Sequence, residues 1–115
     1  MRVTSDLWVS ALVRRAFAAG GFAAVERRGA TEAGAIFVVA RSRLGRLRLF
    51  GPAPQSSYEG AGPSDRLFAE LADTGEADEI SARIAREARF DPDLWLVEVE
   101  IDETTLADLV PVRTP

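Results

Sequence analysis

The feature that most constrains the fold is an uninterrupted apolar run, AIFVVA, at residues 35–40. Because every position is apolar, the run predicts a strand that is buried on both faces, near the middle of a sheet. It is far shorter than the ~20 apolar residues that a membrane-spanning helix needs. The chain has 115 residues, of which 47% are hydrophobic. This length fits one domain over 1–115 with an ordinary core.

Hydrophobic periodicity predicts two helices. The first runs from about Ser5 to Ala19, begins at a Thr4 or Ser5 cap and stops at a Gly-Gly pair. The second is GEADEISARIAREAR, which ends before Pro92. Its apolar stripe is accompanied by an i,i+4 pair of Glu79 with Arg83. The segment ETTLADLV suggests a closing helical turn.

Strands are predicted for FAAVERR, AIFVVA, RLRLF and LWLVEVEI, and RLFAELA is either a strand or the first turn of the second helix. AIFVVA and RLRLF flank a short turn and predict an antiparallel hairpin. Residues 51–65 are rich in glycine, proline and serine and predict a long loop. We therefore expect an α+β domain with a mostly antiparallel sheet of four or five strands and two helices packed on one face. Its expected core is Trp95, Val97, Val99, Leu47 and Leu49 against Val9, Leu12, Phe17, Ile80 and Ile84.

Missing residue types exclude several chemistries. The chain has no cysteine and no histidine, and all 14 basic residues are arginine. Disulfides, thiolate or imidazole metal sites, catalytic triads and lysine nucleophiles are therefore impossible. We expect no cofactor, and the lack of cysteine and of a signal sequence favours the cytoplasm.

Charge is divided unevenly between the two halves. Residues 1–50 hold nine arginines against three acids, whereas residues 51–115 hold five arginines against fifteen acids. The net charge of -4 and the pI of about 4.8 oppose the basic footprint of a nucleic-acid-binding protein. A protein partner or self-association is therefore the favoured kind of contact, with no membrane involved.

Carboxylates crowd the stretch FDPDLWLVEVE at residues 90–100. Glu98 and Glu100 share one face of the predicted strand, about 6.6 Å apart, and could frame a divalent cation together with Asp91 or Asp93. The favoured interpretation is cross-strand pairing of the strand acids with Arg46 and Arg48, and local turn bonding by the two aspartates. On that interpretation no metal site is expected.

Four arginines surround the predicted hairpin, at Arg41, Arg43, Arg46 and Arg48. Arginine binds carboxylates and phosphates in bidentate fashion, so these residues are the candidate contact for an anion or a partner. Tyr58, in the long loop, is a further candidate.

A resemblance to a known family is carried by LWVSALVRRAFAAGGFAAVERRGATEAGAIFVV near the start and DPDLWLVEVE near the end. Its most specific parts are the Arg14-Arg15 pair, the Arg28-Gly29 turn with Ala33-Gly34, and the Asp91–Trp95 motif. In these motifs the chain resembles an alphaproteobacterial family of short proteins, domain of unknown function 1491. The resemblance implies a bacterial cytoplasmic protein and supplies no catalytic residues.

Two classes of function stay open at this point. The first is a small non-catalytic interaction or ligand-binding module that uses the arginine hairpin and the long loop. The second is a carboxylate-dependent, metal-assisted phosphoester hydrolase, which needs the acids at positions 91, 93, 98 and 100 to converge in a pocket. The first is favoured, and no catalytic residue is assigned.

Overall fold

A computed structural model of the chain describes residues 3–54 and 66–113. One five-stranded sheet and three helices make up this part of the chain. The helices are α1 (Ser5–Ala18), α2 (Ala77–Phe90) and α3 (Glu103–Leu109). The strands are β1 (Phe22–Arg27), β2 (Ile36–Arg41), β3 (Leu47–Pro52), β4 (Phe68–Thr74) and β5 (Trp95–Glu100). The predicted α+β class with a mostly antiparallel sheet is confirmed.

The last strand of the sequence lies inside the sheet, whose order is β1-β5-β2-β3-β4. β5 pairs antiparallel with β1 and parallel with β2, and the other neighbours are antiparallel. AIFVVA therefore does form a central strand, flanked on both sides and buried at Ile36 through Val39. The segment RLFAELA is a strand, β4, rather than a helical turn.

The helices cover both faces of the sheet, so the expectation that they pack on one face is wrong. α1 and α3 pack with Trp95, Val97 and Val99 on the first face. α2 packs its Ile80 and Ile84 with Leu47 and Leu49 on the second face. The physical reason lies in β2, because a strand that is apolar on both faces needs a layer on each side.

Three smaller details also differ from expectation. Phe17 is 52% exposed rather than part of the core. Arg83 pairs with Glu87, at 3.0 Å, rather than with Glu79. ETTLADLV extends into helix α3, which Asp102 caps by accepting a hydrogen bond from the Thr105 N–H at 2.8 Å. Within the described ranges, no helix is long and apolar enough to cross a membrane.

Candidate functional site

The four carboxylates of the 90–100 stretch do not converge. Asp91 and Asp93 lie in the turn before β5, where the Asp91 side chain accepts a hydrogen bond from the Asp93 N–H at 3.1 Å. Glu98 and Glu100 lie at the far end of the strand, roughly 20 Å away at about 3.3 Å per residue. No three acidic side chains among the described residues are grouped to hold a metal ion.

Glu98 instead belongs to a charged cluster that spans three strands on the second face of the sheet. Its carboxylate accepts a hydrogen bond from Arg41 Nε at 3.1 Å. This hydrogen bond holds the pKa of Glu98 below its ordinary value, and it raises the pKa of Arg41. Glu26 on β1 faces the same carboxylate, and its hydrogen bond to Glu98 raises the pKa of Glu26. Glu98 is thus already paired with a cationic partner, Arg41.

The other strand arginines also have carboxylate partners, though not the ones predicted. Arg46 Nε donates to Asp73 at 2.6 Å. Arg48 contacts Glu70 at 2.7 Å and Glu103 at 2.9 Å, and its guanidinium lies 5.1 Å from the centre of the Phe50 ring. The hydrogen bond to Glu70 raises the pKa of Arg48. The partners lie on β4 and α3, because β4 is the neighbour of β3.

The hairpin arginines line one cleft of about 540 Å³ at the end of the sheet. Its walls are the β2–β3 hairpin, the end of α1 and the segment between β5 and α3, and its lining includes Arg41, Arg43, Arg46, Arg48, Glu100 and Glu103. We call this space the arginine cleft. The structure therefore brings together all four arginines that the sequence singles out.

The hairpin tip carries two residues that protrude from the sheet. Leu44 is 97% exposed. Arg43 forms no hydrogen bond or ion pair with the residues that the structure describes, in contrast to its three neighbours. The turn is held by Gly45, whose φ of 82° is a left-handed conformation, and by the Ser42 side chain, which accepts from the Arg46 N–H at 3.0 Å. Tyr58, the remaining candidate, lies outside the described residues.

The glycines of RRGATEAG make a close packing contact that was not predicted from the sequence. The turn packs against the DPDLW segment so closely that Gly29 and Gly34 have no room for a Cβ atom. Trp95 Nε1 donates to the Ala30 carbonyl at 2.8 Å, and the Ala30 N–H donates to the Asp93 carbonyl at 2.9 Å. We call this contact the glycine corner.

Two further side chains tie the glycine corner to its surroundings. Ser5 Oγ donates to the Gly34 carbonyl at 2.6 Å, which fixes the start of α1. The Arg28 guanidinium lies 5.0 Å from the centre of the Trp95 ring and pairs with Asp6 at 3.0 Å. Packing thus accounts for two of the distinctive motifs, the turn from Arg28 to Gly34 and the Asp91–Trp95 segment. It does not account for the Arg14-Arg15 pair, whose side chains are exposed on α1.

A second cleft, of about 650 Å³, lies where the start of α1 approaches the start of β4. Thr4, Ala53, Arg66 and Phe68 are among its lining residues, and Arg66 donates to the Val3 carbonyl at 2.8 Å. This cleft could not be predicted from local sequence patterns, because its walls come from four separate segments.

Comparison with solved structures finds relatives over the full length of the chain. The solution structure of protein Atu0922 from A. tumefaciens is 50% identical, with a TM-score of 0.82 over 100% of this chain and 98% of that one. An NMR structure of a DUF1491 family protein from Caulobacter crescentus CB15 is 35% identical, with a TM-score of 0.75 over 99% of each chain. A crystal structure of a DUF1491 family protein from the same organism is 38% identical, with a TM-score of 0.71 over 87% of this chain and 88% of that one.

No curated protein matches the chain. The sequence profile described as "Protein of unknown function (DUF1491)" matches residues 3–107. The resemblance drawn from the sequence motifs is confirmed, and the chain belongs to the DUF1491 family.

Proposed function

We propose that this protein is a small, non-catalytic cytoplasmic interaction module, and that the arginine cleft with its hairpin tip is the binding surface. The observation that carries the proposal is the gathering of Arg41, Arg43, Arg46 and Arg48 around one cleft of about 540 Å³. Guanidinium groups arranged in this way favour ligands with carboxylate or phosphate groups.

The ligand that fits best is an acidic segment of a protein. Leu44 at the tip adds apolar contact area beside Arg43, which has no partner within the part of the chain that the structure describes. An apolar residue next to an available arginine suits a peptide in which a hydrophobic residue lies among acids. The net charge of -4 opposes nucleic acid. Acids around the cleft, such as Glu103, hold the other arginines extended and in position. The same ion pairs offset part of the positive charge of these arginines.

The alternative of a metal-assisted phosphoester hydrolase has no observation to favour it. Its four acids lie at opposite ends of β5, and Glu98 is engaged by Arg41. Asp91 is engaged by its own turn.

An NMR titration tests the proposal. A short oligoglutamate peptide with one central leucine is added to the 15N-labelled protein, and amide shifts are followed in the wild type, Arg43→Gln and Arg86→Gln. Arg86 is a matched control because it is an exposed arginine on α2. We expect shifts confined to the hairpin, and binding several-fold weaker in Arg43→Gln only.

Two other results are informative. Shifts spread equally over the arginines of α2 would mean unspecific charge attraction and would refute the proposal. If inorganic phosphate reproduces the hairpin shifts at the same concentration, the ligand is a small anion rather than an acidic peptide.

A further inference from the structure

The outer edge of β1 is open. β1 pairs only with β5, and no backbone group of Phe22–Val25 has a partner on the other side among the described residues. Sheet edges are normally blunted by charged residues, proline or a covering segment. The start of the opposite edge is covered, because the Phe68 N–H on β4 donates to the Pro111 carbonyl at 2.9 Å and the Arg113 N–H donates to the Phe68 carbonyl at 2.7 Å. The rest of β4 carries the charged residues Glu70 and Asp73. The sequence FAAV at the start of β1 contains no charged residue or proline, and no segment within residues 3–54 and 66–113 bonds to its outer side.

An exposed apolar strip lies beside this edge. In α1, Val13 and Phe17 share a flank with Asp6, as the helical period requires. One end of that flank touches β1, where the Phe17 and Phe22 rings are 5.7 Å apart, and at the other end Asp6 pairs with Arg28, just after β1, at 3.0 Å. Phe17 is 52% exposed, Phe22 44% and Val25 41%. Three exposed apolar side chains (Phe17, Phe22 and Val25) thus flank the unpaired backbone, whereas Val13 is half-buried against the core.

We propose that a second copy of this chain occupies the edge, with the two β1 strands antiparallel about a twofold axis at Ala24. Antiparallel partners lie on the same face of a sheet, so a symmetric pairing has to centre on a residue rather than between two. Centring on Ala24 sets Ala23 opposite Val25 of the second copy and uses the regular part of the strand. The ladder ends at the bulge between Val25 and Arg27.

The charge pattern of β1 permits a second copy as the occupant, because the pairing brings no like charges opposite each other. No charged residue lies within Phe22–Val25, and this register sets Glu26 opposite Phe22 of the second copy rather than opposite Glu26. The apolar strips of the two copies also pack against each other, so the exposed Phe17 and Val25 of each copy are covered by the other copy.

The expected affinity is modest. A five-residue ladder and one helix flank bury less than the ~800 Å² per partner that is typical of a stable interface. The dimer is therefore expected to form in the micromolar range. Because the twofold axis pairs the same β1 edge in both copies, that edge is fully used in the dimer, and association through β1 stops at two chains.

Sedimentation equilibrium across the micromolar range, up to about 1 mM, tests the proposal. We expect the average mass of the wild type to rise towards two chains. Val25→Lys and, separately, Phe17→Glu are expected to weaken association at least tenfold. Leu44→Lys is the matched control, because Leu44 is the most exposed apolar side chain of the described residues and lies at the hairpin. Circular dichroism establishes that each variant is folded.

A wild type that stays at one chain throughout this range would overturn the proposal. So would a dimer that Leu44→Lys disrupts and that survives both Val25→Lys and Phe17→Glu, since the hairpin would then be the interface.

A designed cysteine checks the register. The chain has no cysteine, so Ala24→Cys introduces the only possible bridge. Two such residues directly opposite each other have Cα atoms about 4.5–5.5 Å apart, within the range of a disulfide. We expect mild oxidation to cross-link Ala24→Cys much faster than Ala69→Cys, a control on edge strand β4. Equal rates would refute the β1 interface.

Discussion

The substitution Gly29→Ala places one methyl group in the most crowded part of the molecule. A Cβ at this position would lie against the carbonyl oxygen of Asp93, and 2.6 Å from both the Leu94 carbonyl oxygen and Trp95 Cδ1. Two of these three neighbours are backbone atoms, which cannot rotate away. The turn and the segment before β5 must therefore separate by a large part of an ångström.

The expected loss of stability follows from what the separation disturbs. Overpacking at a rigid site costs about 1–3 kcal/mol. The Ala30 N–H to Asp93 bond and the Trp95 Nε1 to Ala30 bond would both lengthen, and each contributes roughly 1 kcal/mol. Together these effects predict a loss of about 3 kcal/mol, which lowers the melting temperature by roughly 12 °C in a domain of this length.

Gly75→Ala is the matched control. No atom lies within 4 Å of a Cβ built there, and the residue does not have a positive φ. Because alanine restricts the unfolded chain, this variant should be neutral or more stable by about 0.5 kcal/mol. Urea denaturation followed by circular dichroism measures both variants. A free energy of unfolding for Gly29→Ala within about 0.5 kcal/mol of the wild type would refute the packing argument.

Two further predictions concern pH. The folded-state pKa of Glu26 lies above its ordinary 4.5, so its favourable contribution is present at acidic pH and is lost as pH rises through the raised pKa. Glu26→Gln, which can donate to Glu98 without binding a proton, should raise the melting temperature at neutral pH and leave it unchanged below pH 4.5. The pKa of Asp102 is lowered by hydrogen bonds from Thr105, so its contribution exists above its ordinary 3.8 and is lost as pH falls through the lowered value. Asp102→Ala should reduce the melting temperature at neutral pH, by a margin that shrinks in acid, and thermal melts over a pH series check both.

The elements of the fold could be predicted from the sequence because their signals are local. Helix α1 has an apolar period, a cap at Thr4 and a glycine stop, and the structure places it at Ser5–Ala18. The alternation in RLRLF gives strand β3 and its hairpin with β2. These patterns depend on residues a few positions apart, and physical chemistry constrains them tightly.

The partners of the charged residues could not be predicted in the same way. The alternation in RLRLF indicated that Arg46 and Arg48 pair with acidic side chains, and each of these arginines does have an acidic partner. Which acids they meet depends on strand order, and no local pattern fixes that order. Because β5 lies between β1 and β2, Glu98 meets Arg41 and Glu26 instead.

The glycine corner likewise has one part that could be predicted from the sequence and one part that could not. Glycines at 29 and 34 signal a turn, and the turn is there. The Trp95 indole that fills it comes 65 residues after Ala30, so only the folded chain reveals why glycine is needed.

The position of β5 has a consequence for how the chain acquires its structure. β1 and β2 are made early in synthesis, yet each has its main partner in a strand that emerges only near the end of the chain. Val25 and Val97, which lie opposite each other, are separated by more than half of the sequence. Such distant pairings slow folding and delay its completion. On a ribosome the β2–β3–β4 portion can assemble first. The apolar faces of β1 and β2 stay exposed until Trp95–Glu100 has been synthesised. A chain that stops short of β5 should therefore be a substrate for chaperones and proteases rather than a smaller stable domain.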